Sequence, residues 1–413
     1  MTTLENSSLP QDKLILENFN FPEYSNAKTF EDLNLKKDLL RGIYANGWTT
    51  PSDIQKYSII AISSNSDVLI QSQSGMGKTG AFSIGVLNKI QPENPSVQAI
   101  IILNTRELAQ QVYEVVQLLS EYMKINIVLL TGGQGQGQEL KETKRQRKLL
   151  YHDRATIFIG TPGKLGSLLE RKEFTQQPIN LRMFVIDEFD VTLETNFSES
   201  IEKIWKYGNM DIDTQLITVS ATIKKHVMDM LNRTFKKDTI RITLNNDDVM
   251  LDGINHFYVN CENEYKFDTI MDLNNTLINA QTIIFVNSKK ECQKLYQKLI
   301  DQRFTVSQIN GQLSQEERNK IMNDFRNNNI RTLISTGMLS RGIDVNTVSL
   351  VINYELPTDV NEYIHRIGRS GRYGKKGLAI SLVSKNEMKY LYDIEKFYKT
   401  KINELPSNLE QFC

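Results

Sequence analysis

Asp67-Val68-Leu69-Ile70, the turn Ser72-Gln73-Ser74-Gly75-Met76-Gly77 and then Lys78-Thr79 decide how this chain reads. The apolar run lacks alternation, as a strand buried on both faces of a parallel sheet does. The glycines after it let backbone N–H groups turn inward onto phosphate oxygens. The helix that Lys78 opens offers an anion the positive end of its dipole. In such a loop Ser74, Gly75 and Gly77 form the cradle, Lys78 reaches the β- and γ-phosphates, and the Thr79 hydroxyl binds Mg2+. Ser72 stands where the first glycine of the pattern usually sits.

The same rhythm of apolar run and helix extends outward. Ala99 to Leu103, Thr156 to Ile159, Met183 to Ile186 and Leu216 to Val219 repeat it. A polar stretch, Leu244-Asn245-Asn246-Asp247-Asp248, interrupts it. It restarts with Thr282 to Val286, Arg331 to Ile334, Ser349 to Ile352 and Gly377 to Val383. The pattern predicts an α/β fold of two parallel-sheet domains in tandem, 28–243 and 253–413, joined by a linker at 244–252. Residues 1–27 are polar with two prolines and are expected to form a disordered tail.

At 413 residues, 40% hydrophobic and 24% charged, the chain can bury two ordinary cores. Lys plus Arg and Asp plus Glu are both 49, so bulk charge gives no support for a nucleic-acid partner. A local basic groove remains compatible with zero net charge. Cys261, Cys292 and Cys413 form no CxxC pair, which argues against zinc and suits a reducing compartment. Met1 to Asn6 lacks the basic and apolar regions of a signal peptide, and no run is long enough to span a bilayer. A soluble intracellular protein is expected.

Asp187-Glu188-Phe189-Asp190 follows the run at 183–186. A carboxylate at the end of a parallel strand emerges beside a phosphate loop. Asp187 can then hold Mg2+ through water, and Glu188 can orient the attacking water. Ser220-Ala221-Thr222 on its own reads as a helix cap. His365-Arg366-Ile367-Gly368-Arg369-Ser370-Gly371-Arg372 is a row of arginines, and the spacing of Arg369 and Arg372 would put both on one helical face.

These pieces, in this order, resemble the DEAD-box RNA helicases of superfamily two over about residues 30 to 405. The resemblance implies two RecA-like domains with ATP and RNA bound across their cleft. Phe30 and Gly47 to Gln55 resemble the adenine-reading Q motif: Gln55 bonds the adenine edge, and Trp48 stacks on the ring with help from Phe30. Thr105 and Arg106, Gly132 and Gly133, and Thr161-Pro162-Gly163-Lys164 resemble motifs that meet the RNA backbone. Asn287 ends a motif IV, Arg318 belongs to a QxxR element, and Thr336 opens a motif V that carries Asp344 to the ribose. Arg369 and Arg372 are the implied arginine fingers. Ser220 and Thr222, with Asp190 as their partner, are the implied link between ATP state and RNA.

Within the family the chain is similar to the initiation factor 4A group, through its short flanks, residues 39–44 and Glu404-Leu405-Pro406. Glu316-Glu317-Arg318 and residues 322–326 lean towards the nuclear branch that acts in ribosomal RNA processing. The implied protein is a monomeric, RNA-stimulated ATPase using ATP and Mg2+ to separate short duplexes. It would have a scaffold-type protein activator and a nuclear or nucleolar location. Cytoplasmic translation initiation is the alternative. Several positions depart from the pattern: Phe189 for alanine, Gly337 for aspartate, Ser340 for alanine, Asn310 and Gln312 for His and Asp, Met76 for Thr, Asn104 for Pro, and Lys164 for Arg. Phe189 is expected to crowd the carboxylates and weaken their coupling to 220–222. Phe189 and Gly337 together keep open a rival reading, a slow-turnover RNA clamp. A DNA-repair helicase would need a different adenine element at 47–55.

Overall fold

A computed structural model describes residues 14–24, 26–72, 75–132, 155–170, 179–194, 198–207, 213–223, 225–244, 254–277, 280–337, 348–370 and 377–406. They divide into two compact units, the first mainly from residues 6–245 and the second mainly from 246–413.

The first unit contains strands β1 (Leu14–Glu17), β2 (Val68–Gln71), β3 (Val97–Ile102), β4 (Ile127–Leu130), β5 (Ile157–Gly160), β6 (Ile179–Asp187), β7 (Gln215–Ser220) and β8 (Ile240–Leu244). Its helices are α1 (Lys37–Ala45), α2 (Asp53–Ser63), α3 (Lys78–Lys89), α4 (Arg106–Leu119), α5 (Pro162–Glu170), α6 (Phe189–Glu194), α7 (Ser198–Tyr207) and α8 (Lys225–Thr234). The sheet order is β1-β8-β2-β7-β6-β3-β5-β4. Every pairing is parallel except β1 with β8. The central strands are apolar on both faces because both faces are covered. Val68, Ile70, Ala99 and Ile101 enter the core beneath α1 to α4; Leu69, Ile100, Ile102 and Phe184 enter the one beneath α5 to α8.

The second unit contains β9 (Ile254–Asn260), α9 (Lys266–Thr276), β10 (Gln281–Val286), α10 (Lys289–Asp301), β11 (Val306–Ile309), α11 (Gln315–Arg326), β12 (Thr332–Thr336), β13 (Val348–Asn353), α12 (Val360–Ile367), β14 (Gly377–Val383), α13 (Met388–Phe397) and β15 (Asn403–Glu404). Its sheet, β11-β12-β10-β13-β14-β9-β15, is parallel throughout. Met322, Tyr363, Ile364 and Leu391 fill one face, and Ile270, Leu273, Leu295 and Leu299 the other.

The apolar runs read from sequence are all strands. The expectation of a disordered tail over 1–27 is corrected at its end: Leu14 to Glu17 pair antiparallel with β8, and Leu14 and Leu16 pack on the core. Residues 1–13 and most of the expected linker lie outside the described residues. No helix among the described residues is long and apolar enough to cross a membrane.

One buried ion pair ties the second unit together. Lys266, 1% exposed at the start of α9, donates to Glu387 Oε2 at 2.6 Å and to the Tyr354 carbonyl at 2.8 Å. Glu387 also accepts from the Ser384 amide and hydroxyl. Burial alone would raise the Glu387 carboxyl, but these donors hold it below the usual carboxylate range. Its contribution to stability is therefore complete at neutral pH and is lost as pH falls through that depressed value. Lys266→Ala should cost about 3–5 kcal/mol in chemical denaturation at pH 7. The difference from the unmutated chain should shrink once the carboxyl is protonated. An equal difference at acid pH would remove the ion pair as its cause.

Candidate functional site

Parallel pairing sets the C-terminal ends of β2, β7, β6, β3, β5 and β4 along one edge of the first sheet. The segments leaving that edge contain the first unit's candidate nucleotide, metal and RNA residues, apart from the adenine-reading positions before β2.

After β2 the chain turns through Gly75 and Gly77, at φ 87° and 88°. Both are in the left-handed region that glycine enters without a Cβ penalty. Gly77 caps α3, so Lys78 and Thr79 form the first turn of the helix. The Lys78 ammonium folds back to donate to the Ser72 carbonyl. Gln55 sits against this turn. It forms a reciprocal capping box with Ser52, its Oε1 accepting from the Ser52 amide at 2.9 Å, while its Nε2 lies 3.5 Å from the Gly77 carbonyl. The Trp48 ring, half-buried, lies over Gly80: a Cβ there would come within 2.6 Å of it. Phe30 differs from expectation. It is wholly buried in the core, edge-on to Tyr44 at 6.4 Å, so it backs the site and presents no stacking face.

Asp187 ends β6 and is 6% exposed. Burial, then the neighbouring Glu188 charge, push its carboxyl above the usual range, with Lys78 opposing the rise. Glu188 follows at φ 47°, a strained setting for a residue with a side chain. Its Oε2 accepts from Asn104 Nδ2 at 2.8 Å. Asn104 stands where the family pattern has proline, and its contact with Glu188 was not legible beforehand; the one hint was a polar residue closing an apolar strand. Asp190 Oδ2 accepts from the Thr222 hydroxyl at 2.8 Å. Ser220 instead bridges within its own turn, donating to the Thr222 carbonyl at 2.7 Å and accepting from the Thr222 amide.

Phe189 does not crowd the carboxylates. Its ring is fully buried in the core with Leu165, Phe184 and Leu216. Around the strained turn Glu188 meets Asn104 and Asp190 meets Thr222, while the Phe189 ring enters the core.

The segments after β3, β5 and β4 bring the next candidates together. Thr105 caps α4 by accepting from the Leu108 amide at 3.2 Å. Arg106 Nη2 lies 3.7 Å from where a Cβ on Gly132 would be. The Thr161 amide donates to the Leu130 carbonyl at 3.1 Å, Pro162 opens α5, and Gly163 is exposed with open space around it.

In the second unit Asn287 follows β10 and Thr336 ends its neighbour β12. The Asn287 side chain is engaged internally, its Nδ2 donating to the Leu356 carbonyl and its Oδ1 accepting from Arg366, both at 2.8 Å. Arg318 Nε donates to the Leu313 carbonyl at 3.1 Å. The helical-face argument for Arg369 fails, because α12 ends at Ile367 and Gly368 caps it. Arg369 is 4% exposed, and its Nε donates to the His365 carbonyl at 3.0 Å. Ser74, Gly133, Asp344 and Arg372 lie outside the described residues.

Residues 52–230 match the DEAD/DEAH box helicase family, and residues 265–374 match the helicase conserved C-terminal domain. The ATP-dependent RNA helicase FAL1 of Scheffersomyces stipitis is 43% identical over 382 residues, 92% of this chain and 92% of that protein. Eukaryotic initiation factor 4A of Caenorhabditis elegans is 41% identical over 383 residues, with 92% of each covered. Among solved structures, Saccharomyces cerevisiae Dbp5 bound to RNA and ADP BeF3 has a TM-score of 0.83 at 35% identity, covering 93% of this chain and 97% of that one. Mss116p bound to ssRNA and AMP-PNP, at 23% identity and a TM-score of 0.80, shares the fold.

The burial of Phe189 gives a test. Phe189→Ala should lower stability by about 3–5 kcal/mol, the usual cost of emptying a buried aromatic site. A thermal melt giving an unchanged midpoint would show that the ring is not a packing element.

Proposed function

The chain belongs to the DEAD/DEAH box helicases, and from that membership we propose that it is an RNA-stimulated ATPase that locally separates short RNA duplexes. The observation that carries this is the convergence on one sheet edge of Lys78, the buried Asp187 carboxylate and Glu188 held by Asn104. The left-handed glycines leave room for the backbone to wrap an anion, and Lys78, bonded to the Ser72 carbonyl, supplies a cation beside it.

The donor set fits a nucleotide-bound Mg2+. Asp187 is desolvated and short of positive charge, which a dication would relieve, and Thr79 is at the helix start with its hydroxyl. No group of three or more His, Cys, Asp or Glu among the described residues forms a metal cage. Phosphate and water oxygens would therefore complete the coordination. When bound, Mg2+ neutralises charge building on the phosphates. Glu188 accepts a proton-bearing water through the carboxylate oxygen that Asn104 does not occupy, and orients it. Gln55 Oε1 keeps a second lone pair and Nε2 a further N–H for the adenine edge, with Trp48 as the stacking face.

Arg106, Gly132, Thr161 and Gly163 form a grip for RNA backbone, which reads shape more than sequence. Arg369 and Arg372 are assigned as fingers of the second unit, so turnover depends on both units. The burial of Phe189 removes one ground for the slow-clamp reading. Ribosomal RNA processing in the nucleolus, with a scaffold-type protein activator, is the setting we assign, on the residues at 316–318 and 322–326. Translation initiation in the cytoplasm is the competing setting, and localisation of the tagged chain separates the two.

ATP hydrolysis by the purified chain, with and without RNA, tests the proposal; no RNA stimulation would overturn it. Glu188→Gln should lower the maximal rate by about 10²-fold or more, as loss of a positioned base does, and leave ATP binding intact. An unchanged rate would remove Glu188 from catalysis. GTP should be a poor substrate, since guanine offers Gln55 the opposite edge pattern. Equal turnover of ATP and GTP would reject the adenine assignment.

A further inference from the structure

Arg366 is the largest fully buried side chain of the described residues, 1% exposed in the second unit. Its guanidinium donates four hydrogen bonds to three acceptors. Nε and Nη2 reach Glu362 Oε1 at 2.8 and 2.6 Å, Nη1 reaches the Glu355 carbonyl at 2.8 Å, and Nη2 also reaches Asn287 Oδ1 at 2.8 Å. The Phe285 ring lies 5.4 Å beneath it. A guanidinium this far from water needs a carboxylate beside it, and Glu362 provides one from the same helix, one turn earlier. The Glu355 carboxylate is engaged elsewhere, accepting from the Asn287 amide at 2.6 Å.

The Glu362 carboxylate has room only because residue 337 has no side chain. A Cβ built on Gly337 would overlap Glu362 Oε1, lie 2.7 Å from its Cδ and come within 3.2 Å of Arg366 Nη2. The end of a flexible side chain ordinarily moves aside, but this one is pinned by two charge-assisted bonds. The last distance also shows that a carboxylate carried at 337 would start within reach of the same guanidinium.

We propose that Gly337 and Glu362 are a matched pair: Glu362, from helix α12, supplies the counter-charge of Arg366 that the end of β12 could otherwise supply, and Gly337 vacates the space. Glu362 is thereby a positioning residue. Through Arg366 it fixes Asn287 after β10 and the Glu355–Leu356 turn after β13, beside Gly337 at the end of β12. The aspartate that the family pattern has at 337 has changed walls, not vanished. The functional half of this inference rests on the reading that these segments face RNA; the structural half does not.

The test uses the full chain with Glu362→Ala, Glu362→Gln, Gly337→Asp and the double variant Gly337→Asp/Glu362→Ala. Each is followed by thermal melting and by the RNA concentration that half-saturates ATPase stimulation. Glu362→Ala should lower the melting temperature and raise the half-saturating RNA concentration about tenfold or more, with KM for ATP within about twofold, because it strands a buried charge that orders the RNA-facing segments. Glu362→Gln, which can still accept, should fall between. Gly337→Asp alone should also melt lower, since two carboxylates then compete for one site. In the double variant, Gly337→Asp should restore most of both readouts. Should Glu362→Ala fail to fold, a folded double variant still supports the pair, and an unfolded one rejects it. The proposal falls if the double variant is no better than Glu362→Ala, or if Glu362→Ala matches the unmutated chain. An unmutated chain that RNA does not stimulate would strike at the proposed function, while the melting comparison would still decide the pair.

Discussion

Parallel strand direction is the constraint on which the rest depends. Because β2, β7, β6, β3, β5 and β4 run the same way, every turn that leaves a strand end opens on the same edge. Residues as distant in sequence as Lys78, Glu188 and Thr161 thereby become neighbours in one row. The order of strands then arranges the chemistry. Candidate phosphate, carboxylate and Thr222 segments follow β2, β6 and β7, and candidate RNA segments follow β3, β5 and β4. The helices cover both faces, which keeps the strands apolar and leaves the edge as the place for polar groups.

Two strained or buried charges show what that edge costs the fold. Asp187 is held without full solvation, and Glu188 adopts a left-handed backbone that few side-chain-bearing residues take. The Asn104 amide and the burial of Phe189 on the other side of the strand hold Glu188 in that setting. The second unit follows the same logic at Arg366, where one buried guanidinium ties two strand ends to helix α12.

Most strands buried on both faces were legible because they leave unbroken apolar runs, as at 67–70 and 282–286, although β4, equally buried at Ile127–Leu130, was missed. Strands β1, β8 and β11 were not legible, because they are short and half polar, with exposed or intermediate residues inside them. The phosphate loop was legible because glycine spacing is a backbone property written locally. The burial of Phe30 and Arg369 was not, since it depends on packing neighbours that the sequence does not order. The Asn104 bond to Glu188 spans 84 residues and is created only by the adjacency of β3 and β6. Phe189 misled for a related reason: its neighbours in sequence face the site, and the turn at Glu188 sends it away.

The edge strand β1 has a consequence for how the sheet meets the rest of the cell. Without it, β8 would present a row of unpaired N–H and C=O groups beside the apolar residues Ile240, Ile242 and Leu244. Such an edge templates pairing with any extended chain. Leu14 to Glu17 act as a built-in selvedge, with Glu17 reaching Arg241 at 3.4 Å across the seam. A truncation begun at residue 28, where composition alone places the domain boundary, would unravel that border and turn a covered edge into an adhesive one.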